Sequence, residues 1–324
     1  MPLLLPLLQA EPQGLPKIID NLARTPLSQV ILFVAVLTVF RVIMAGYLAK
    51  TPPHLRQSGY RAARFVNELF DAIVYAGVFV FLIIRPFGVQ AFRIPSGSMW
   101  PTLYVNDFVV ANKAIYRYSD PKKGDIVVFR PPPQAVTEAS DLDEDGQAKV
   151  DYIKRCVGVP GDVVELHDKI LYINGVKAAD PTKHYSSTAD GGQTFSSIPA
   201  EEVPNANFKL AKDDKGRIIP FNYTADSANS GETFPGGKVV GGQAYQVSIE
   251  YALGPAEQVR LTAQKPQPVP PGYYLMMGDN RNNSFDGRGW GLVPRASIIG
   301  RSEVIWLPLG RIGRTPAVDI VGGK

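Results

Sequence analysis

A β-strand followed by a tight turn is indicated by one stretch above all others, Asp151-Tyr152-Ile153-Lys154-Arg155-Cys156-Val157-Gly158-Val159-Pro160-Gly161-Asp162. Because side chains alternate between the two faces of a strand, Lys154 shares one face with Tyr152 and Cys156. A lysine buried beside such neighbours has a lowered pKa, since loss of solvation disfavours its charged form. Lys154 is therefore a candidate general base near neutral pH, with a solvated edge-strand lysine as the alternative.

Short alternating or apolar runs, separated by Gly, Pro and Asp, surround that stretch and predict a mainly β fold. They are residues 108–110, 125–129, 163–166, 170–173, 273–277 and 300–307. Asn174-Gly175 follows one of these runs and predicts a tight hairpin turn. Residues 131–150 begin with three prolines and continue acidic and polar, which is typical of an exposed loop. Residues 177–268 are polar apart from a β-like piece at 244–252, and they predict an inserted subdomain.

Two apolar runs precede this β part and are candidate membrane spans. Residues 30–49 are long enough, as a helix, to span about 30 Å, the thickness of a bilayer's hydrocarbon core. Arg41 lies within this run, at a cost of about 2.5–3.5 kcal/mol unless it snorkels or pairs. Residues 72–84 form a shorter apolar run, which reaches span length only if it extends to residue 92.

Charges between the two runs set the expected orientation. Basic residues exceed acidic ones there: Lys50, Arg56, Arg61 and Arg64 against Glu68 and Asp71. The positive-inside rule places this segment in the cytoplasm, and two spans would then put both the N-terminus and everything after residue 90 outside. Residues 2–8 are too short and too proline-broken for a cleaved signal peptide, so we expect an uncleaved anchor.

These patterns divide the chain into seven parts. They are an extracytoplasmic head at 1–29, a transmembrane helix at 30–49, a basic cytoplasmic loop at 50–71, a second transmembrane helix at 72–92, a β domain at 93–176 and 269–315, the inserted subdomain at 177–268, and a tail at 316–324.

The composition argues against several kinds of site. Net charge is +4 without a dense Lys/Arg block or an aromatic–basic pattern, so we expect no nucleic-acid partner. The single cysteine, Cys156, excludes an internal disulfide and a cysteine metal cluster. The three histidines, His54, His167 and His184, lack metal-ligand spacing, and we expect neither a metal nor a cofactor.

Two further patterns spell known motifs, and neither is favoured. Ser119-Asp120-Pro121-Lys122 has the Ser-x-x-Lys spacing of penicillin-interacting enzymes, but Pro121 opposes the helix that this motif needs. Asp141-x-Asp143-x-Asp145-Gly146 begins like a calcium loop, but its twelfth position is Tyr152, where a bidentate glutamate belongs.

Two more stretches carry candidate chemistry. Arg93-Ile94-Pro95-Ser96-Gly97-Ser98-Met99-Trp100-Pro101-Thr102-Leu103 holds a Ser-Gly-Ser turn between two prolines. Gly97 permits unusual backbone angles, and the prolines stiffen the flanks of the turn. A serine held there can act as a nucleophile if a base lies near. The alternative is a polar turn beside the membrane. The other is Gly278-Asp279-Asn280-Arg281-Asn282-Asn283-Ser284-Phe285-Asp286-Gly287-Arg288-Gly289-Trp290-Gly291, whose aspartates and arginines predict charge-assisted pairs that lock a loop.

Together the three stretches resemble the type I signal peptidase, or leader peptidase, family. The shared blocks are Ser-Gly-Ser-Met-x-Pro-Thr, Tyr-Ile-Lys-Arg-x-Val-Gly-x-Pro-Gly-Asp and Gly-Asp-Asn-Arg-x-Asn-Ser-x-Asp-x-Arg, in this order after a membrane segment. The likeness covers residues 70–176 and 270–307. Asn282 and Gly287 depart from the commoner Asp and Ser of the family.

The resemblance implies a role for each matching residue. Ser98 matches the family's nucleophile and Lys154 its general base. Ser96, with the backbone N–H of Ser98, matches the oxyanion hole, and Ser284 matches the serine that orients the lysine. The remaining matches are site support at Asp286, Arg288, Arg155 and Asp279, and apolar walls around small substrate side chains at Phe92, Ile94, Met99, Tyr152 and Ile153.

The implied fold is a signal-peptidase-like β catalytic domain with an inserted β-rich excursion, preceded by one or two transmembrane helices. The implied function is a serine endopeptidase that removes signal peptides from preproteins after a small-x-small motif. Such a protein is expected in the cell membrane as a multi-pass chain, with its catalytic domain on the extracytoplasmic side and the bilayer and preproteins as partners. A catalytically inactive signal-peptide binder and a self-cleaving regulator with a similar dyad remain alternatives; no oligomeric state is predicted.

Overall fold

The structure, a computed structural model, describes residues 27–53, 56, 58–79, 88–136, 139–188, 194–203, 207–223 and 255–320. The chain divides into two units, residues 1–91 and residues 92–324. Most of the predicted head, the β-like piece at 244–252 and the end of the predicted tail lie outside the described residues.

Two long helices belong to the first unit, α1 (Leu27–Lys50) and α2 (Ser58–Val78). α1 contains the predicted span at 30–49, and Ser28–Lys50 is the one helix among the described residues that is long and apolar enough to cross a membrane. The structure corrects the bounds of the second predicted span. Its helix begins at Ser58 instead of residue 72, and the end of the predicted span lies in strand β1 (Val89–Arg93).

The predicted span began too late, at residue 72, because the first half of α2 is amphipathic and not continuously apolar. Arg61, Arg64, Glu68 and Asp71 recur at helical spacing and give it a polar stripe, which a search for continuous apolar residues does not recognise. The described residues therefore do not support the expected multi-pass arrangement; residues 80–87 are not among them.

α1 and α2 are joined by an ion pair and by ring packing. Arg41 Nε lies 2.6 Å from Asp71 Oδ1, and the Phe40 and Phe70 rings meet edge to face at 5.3 Å between centroids. Arg41, which the sequence marks as costly in a membrane unless it pairs, thus has its partner on the neighbouring helix.

Fifteen strands lie in the described residues. They are β1 Val89–Arg93, β2 Phe108–Asn112, β3 Ile126–Phe129, β4 Tyr152–Gly158, β5 Val164–His167, β6 Ile170–Ile173, β7 Val176–Lys177, β8 Ser186–Thr188, β9 Phe195–Ser197, β10 Asn207–Lys212, β11 Ile218–Tyr223, β12 Tyr273–Met277, β13 Val293–Pro294, β14 Ile298–Leu307 and β15 Gly313–Arg314. Three shorter helices accompany them, α3 (Ile115–Tyr118), α4 (Pro255–Ala263) and α5 (Gly287–Trp290). The predicted mainly β fold is confirmed, and each apolar run listed in the sequence lies within or overlaps a strand.

An eight-stranded sheet carries the candidate site. Its order is β1-β2-β14-β3-β4-β12-β13, with β15 pairing β14. The long strand β14 pairs with β3 through residues 298–301 and with β2 through residues 301–307, and register shifts mark both pairings. β4 lies between β3 and β12, so Lys154 stands in the interior of the sheet, opposite Val127. The interpretation of Lys154 as an edge-strand residue is therefore wrong.

A second sheet has the order β11-β10-β5-β6-β7. β6 and β7 form a hairpin through Asn174 and Gly175, both at positive φ (54° and 78°), which confirms the predicted turn. β10 pairs with β5 and with β11, so residues 207–223 of the predicted insertion extend a sheet begun by residues 164–177.

The apolar core beneath the candidate site is continuous with the strands that carry it. Ile94, Met99 and Ile153 are buried in one cluster with residues of β2 and β3, and Phe92 packs at its edge. A neighbouring cluster contains Cys156 and Trp290, so Trp290 is a core residue.

Candidate active site

Ser98 and Lys154 meet at the centre of the site, although 56 positions separate them in the chain. Ser98 lies in a short 3-10 turn, Gly97–Met99, and Lys154 lies on β4. Lys154 Nζ is 2.8 Å from Ser98 Oγ and 3.1 Å from the backbone oxygen of Ile153. Both side chains are almost fully buried, with exposures of 8% for Ser98 and 5% for Lys154.

Burial changes the proton affinity of Lys154. Loss of solvation lowers its pKa to about 8 from the ordinary value of 10.5, against the opposing influence of the carboxylates of Asp286 and Asp279. A lysine in this state is a better base at neutral pH than one in water, because a larger fraction of it is unprotonated. A neutral amine next to a serine hydroxyl can accept the proton of that hydroxyl.

Ser96 lies beside the pair, on the exposed edge of the same turn. Its Oγ is 3.3 Å from Ser98 Oγ, and Ser96 itself is exposed while Gly97 and Ser98 are buried. A hydroxyl at this position can donate to an oxygen that approaches Ser98 from solvent.

Gly97 is explained by the space around it, and not by the unusual backbone angles that the sequence suggested. Its backbone is not in the left-handed region, so unusual backbone angles do not explain it. A Cβ there would lie 1.9 Å from Cζ of Phe195, so the close approach of that ring leaves room only for glycine.

The third stretch surrounds the pair from the other side. Ser284 is buried against the turn: a Cβ placed on Gly278 would lie 2.2 Å from Ser284 Oγ and 2.5 Å from the backbone oxygen of Ser98. Within the described residues, Ser284 Oγ has no hydrogen-bond partner, and Lys154 Nζ bonds to Ser98 and to the Ile153 backbone instead. The role of Ser284 in orienting the lysine therefore stays a prediction.

Asp286 and Arg288 form a buried pair that shapes this loop. Arg288 Nε and Nη2 donate to the two carboxylate oxygens of Asp286 at 2.9 and 2.8 Å, and the Gly278 N–H donates to the same carboxylate at 2.9 Å. Burial alone would raise the pKa of Asp286, but Arg288 and these hydrogen bonds hold it below its ordinary value. Asp286 therefore stays ionised and helps to keep Arg288 in place.

Arg155 and Asp279 connect β4 to the third stretch. Arg155 Nε and Nη2 donate to Asp279 at 2.8 and 2.7 Å, and Arg155 Nη1 donates to the backbone oxygens of Gly124 and Pro316. Thr102 of the first stretch also donates to Asp279, at 2.6 Å. All three sequence blocks thus meet at one carboxylate.

Four of the five predicted pocket-wall residues pack in one cluster, and Tyr152 packs against a neighbouring cluster. Ile94, Met99 and Ile153 are buried, and Phe92 is partly exposed beside them. Tyr152 is held by a hydrogen bond from its hydroxyl to the Ala135 backbone oxygen, and its ring centroid is 5.4 Å from Lys154 Nζ.

Sequence reasoning missed Asn280, which links the serine turn to a hairpin of the predicted insertion. Its side-chain N–H donates to the Gly97 oxygen at 2.9 Å, and its backbone N–H donates to the Ser98 oxygen at 3.1 Å. Its side-chain oxygen accepts from the Ser186 hydroxyl on β8 at 2.9 Å. The Gly-Asp-Asn-Arg block contained this residue, but no pattern in the sequence pointed to Ser186.

The two motifs set aside in the sequence have structural roles. Ser119 Oγ donates to the Ile115 backbone oxygen at the end of α3. Asp143 accepts the backbone N–H groups of Asp145 and Gln147, as expected of an acidic residue that closes its own loop.

Comparisons with known proteins point in one direction. A family model described as signal peptidase, peptidase S26, matches residues 66–307. A signal peptidase I of Aquifex aeolicus (strain VF5) is 34% identical over 231 residues, covering 69% of this chain and 78% of that protein. A signal peptidase I of Pseudomonas fluorescens is 30% identical over 270 residues, covering 76% and 75% respectively. A crystal structure of a signal peptidase I from Enterococcus faecalis V583 is 23% identical in sequence, and the match covers 56% of this chain and 97% of that chain with a TM-score of 0.24.

Proposed function

The chain belongs to the signal peptidase family, peptidase S26, and on that premise we propose that it is a membrane-anchored endopeptidase that removes signal peptides with a Ser98–Lys154 dyad. The observation that carries this proposal is the 2.8 Å contact between Lys154 Nζ and Ser98 Oγ inside a buried site. A lysine with a pKa of about 8, already in contact with a serine hydroxyl, meets the requirements of a general base.

The proposed reaction has two proton-transfer cycles. Neutral Lys154 takes the proton of Ser98, and Ser98 Oγ attacks the scissile carbonyl carbon. The Lys154 ammonium then gives that proton to the leaving amine, the C–N bond breaks, and an acyl-enzyme remains on Ser98. In the second cycle Lys154 takes a proton from water, the hydroxide attacks the ester, and Ser98 regains its proton as the signal peptide leaves.

Charge on the carbonyl oxygen is stabilised by two donors of the serine turn. The Ser98 N–H and the Ser96 hydroxyl flank the nucleophile, and donors placed in advance for this oxygen commonly contribute about 10²–10³ in rate. The 3.3 Å separation between Ser96 Oγ and Ser98 Oγ supports this role. Arg155 with Asp279, and Asp286 with Arg288, hold the surrounding loop and do not take part in bond changes.

The substrate preference follows from the pocket. Ile94, Met99 and Ile153 are packed against the core, with exposures of 2%, 0% and 9%. Side chains packed this closely cannot move aside, so the proposed pocket would accept alanine-sized side chains and exclude larger ones. Cleavage after a small-x-small motif is the expected result, as at signal-peptide cleavage sites.

We place the catalytic part on the extracytoplasmic side, with α1 as anchor. The basic residues at 50, 56, 61 and 64 favour the cytoplasm, so this proposed placement requires a second crossing of the bilayer before β1. The Arg41–Asp71 pair supports this, because a mid-helix arginine paired with a carboxylate on α2 suits two helices that lie side by side in a membrane.

The test is cleavage of a purified preprotein in detergent. The native chain is expected to cut once, after a small-x-small site, while Ser98→Ala and Lys154→Ala lose at least about 10³ in kcat. Chelators should leave the rate unchanged, since every group in the proposed reaction belongs to the protein. Ser119→Ala and Lys122→Ala are matched controls, because they remove a serine and a lysine of the unused Ser-x-x-Lys sequence and should cut normally.

Other outcomes would identify the alternatives. A native chain that binds the preprotein without cutting it would be a signal-peptide binder. A chain that cuts only itself would be a self-cleaving regulator. Cleavage by Ser98→Ala would show that the dyad is assigned to the wrong serine.

A further inference from the structure

The ring of Phe195, at the start of β9, lies directly on the backbone of the nucleophile turn. A Cβ on Gly97 would be 1.9 Å from Phe195 Cζ and 2.1 Å from its Cε2. Gly97 immediately precedes Ser98, so this ring covers the peptide next to the nucleophile. Phe195 belongs to the predicted insertion, to which the resemblance assigns no role.

The hairpin that carries Phe195 is fastened to the site by hydrogen bonds. His184, two residues before β8, forms an isolated parallel bridge with Asn280, and its N–H donates to the Asp279 oxygen at 2.9 Å. Asn282 accepts the Ser186 N–H at 2.8 Å and donates to the Ser186 oxygen at 2.7 Å. β9 then pairs with β8, placing Phe195 opposite Thr188. The position of the ring is therefore tied to the same loop that surrounds the dyad.

Phe195 is one of three partly exposed rings that form a continuous aromatic surface. The Trp100 centroid lies 6.1 Å from the Phe195 centroid, at 31° between planes, and 6.1 Å from the His184 centroid, at 75°. Aromatic rings held in place offer large contact areas at low cost in conformational entropy. A surface of this kind beside a nucleophile is suited to contact with a substrate.

The aromatic surface is separate from the pocket for small side chains. The pocket walls Ile94, Met99 and Ile153 form a single buried cluster, and Phe195 is not part of it. Pro95 and Ser96, which link Ile94 to Gly97 in the chain, are exposed, while Gly97 is buried against the Phe195 ring.

We infer that Phe195, with Trp100, forms the substrate wall on the leaving-group side and selects the first residues of the mature protein. A polypeptide lying across Ser98 has the small-residue pocket on its acyl side, so the other aromatic wall beside Ser98 meets the residues after the scissile bond. This inference rests on the proposed function. It predicts that an uncharged, apolar first mature residue is cut faster than an acidic one, because only the former packs on the rings.

Photo-crosslinking tests the contact without requiring cleavage. A benzophenone side chain replaces Phe195 in the Ser98→Ala chain, which is then mixed with intact preprotein and irradiated. The expected crosslinks fall on the first three residues after the scissile bond. The same group in place of Tyr152 should mark residues before that bond, and in place of Tyr118, which is 89% exposed, it measures background.

Two crosslinking outcomes would overturn the inference: crosslinks from position 195 to residues before the scissile bond, or a yield no higher than from position 118. The proposed function is judged separately by the cleavage assay. A chain that binds preprotein without cutting it would refute the proposed reaction and still give an informative crosslink map.

Kinetics with Phe195→Ala test whether the contact selects substrates. The substrates are preproteins that differ only in the first mature residue, Leu or Asp, and a second pair that differs only in the last signal-peptide residue, Ala or Ser. Phe195→Ala should reduce the Leu-to-Asp ratio of kcat/KM by about 3- to 10-fold and leave the Ala-to-Ser ratio unchanged. Phe195→Tyr should keep the native ratios, and Tyr118→Ala is the control. An equal change for all substrates would mean that the ring only covers the site.

Discussion

The Arg155 guanidinium and the Asp279 carboxylate face each other with no solvent exposure, joined by hydrogen bonds of 2.8 and 2.7 Å. One residue comes from β4 and the other from the loop after β12, 124 positions later. The pair therefore connects the strand that carries the general base to the loop that surrounds it.

Breaking this pair should destabilise the protein far more than breaking a surface pair. Asp279→Ala leaves an unpaired buried charge, and we expect a loss of about 3–5 kcal/mol in the free energy of unfolding. Thermal and denaturant unfolding of the catalytic unit measure it. Arg260→Ala, which opens the exposed Arg260–Glu257 pair on α4, is the control and should change little. Equal effects of the two variants would contradict the argument.

Cleavage should depend on pH through Lys154. With a pKa of about 8, the fraction of neutral Lys154, and with it kcat/KM, rises about tenfold per pH unit below that value and levels off above it. Initial rates with one preprotein between pH 6 and 10 measure the profile. A rate that is flat across pH 8, in a chain that remains folded, would rule out Lys154 as the titrating base.

The free energy of unfolding should also depend on pH through Lys154, and it should rise as the pH rises. The folded-state pKa of Lys154, about 8, lies below the unfolded value of 10.5, so the unfolded chain holds more protons between these values and stability rises with pH across this window. Lys154→Met should remove that rise and stabilise the protein at pH 7 by roughly 2–3 kcal/mol. The difference between native and variant unfolding curves at pH 7 and pH 10 isolates this contribution. Lys122→Met, at an exposed lysine, should leave the pH dependence as it is in the native chain.

Asn282, where the family more often has Asp, should matter for the β8–β9 hairpin. Its amide both donates to and accepts from the backbone of Ser186, and a carboxylate can only accept. Asn282→Asp is expected to speed hydrogen exchange of the β8 amides by about 5- to 30-fold, because a buried carbonyl loses its donor. Asn222→Asp, on β11, removes an amide donor to the Arg288 backbone oxygen in α5 and should leave the β8 amides protected. Unchanged exchange in Asn282→Asp would mean that the hairpin is held by its other contacts.

If α2 enters the membrane beside α1, as proposed, the Arg41–Asp71 pair should matter for insertion. Asp71→Ala leaves Arg41 without its partner and should reduce the fraction of chains whose catalytic unit becomes accessible to protease from outside the cell. The charge exchange Arg41→Asp with Asp71→Arg should restore it. Arg64→Ala, which opens the exposed Arg64–Glu68 pair, serves as the control. Failure of the exchange variant would show that the two charges act independently.

The sequence predicted β4, which carries Lys154, and its neighbour β12 because their hydrophobic patterns are strong. Most residues of both strands are buried, and such strands have a clear apolar pattern. The Asn174-Gly175 turn was equally clear, since few residue pairs accept two positive φ angles. The dyad itself came from the resemblance, because no local pattern shows that residues 98 and 154 touch.

The sequence did not predict β8, β9, β10 or the full extent of α2. β8 and β9 are three residues each and mostly polar, and the position of β8 depends on hydrogen bonds to Asn280 and Asn282, which lie about a hundred positions away. β10 contains Lys209, whose amine caps the end of α4 by donating to the Thr262 and Gln264 oxygens. A hydropathy pattern predicts that a lysine in a strand is exposed to solvent. Only the tertiary structure shows which groups accept hydrogen bonds from a lysine that is buried.

The position of β14 in the middle of the main sheet affects the order in which the sheet can assemble during synthesis. This strand, at residues 298–307, is inserted between β2 and β3, so the two halves of the main sheet have no common partner until these residues have been synthesised. Asp279 and Asn280, which fasten the lysine strand and the serine turn, are also made late. A growing chain emerging from the ribosome therefore holds Ser98 and Lys154 without holding them together. Under the proposed function, cleavage would therefore begin only after residues 298–307 have joined β2 to β3.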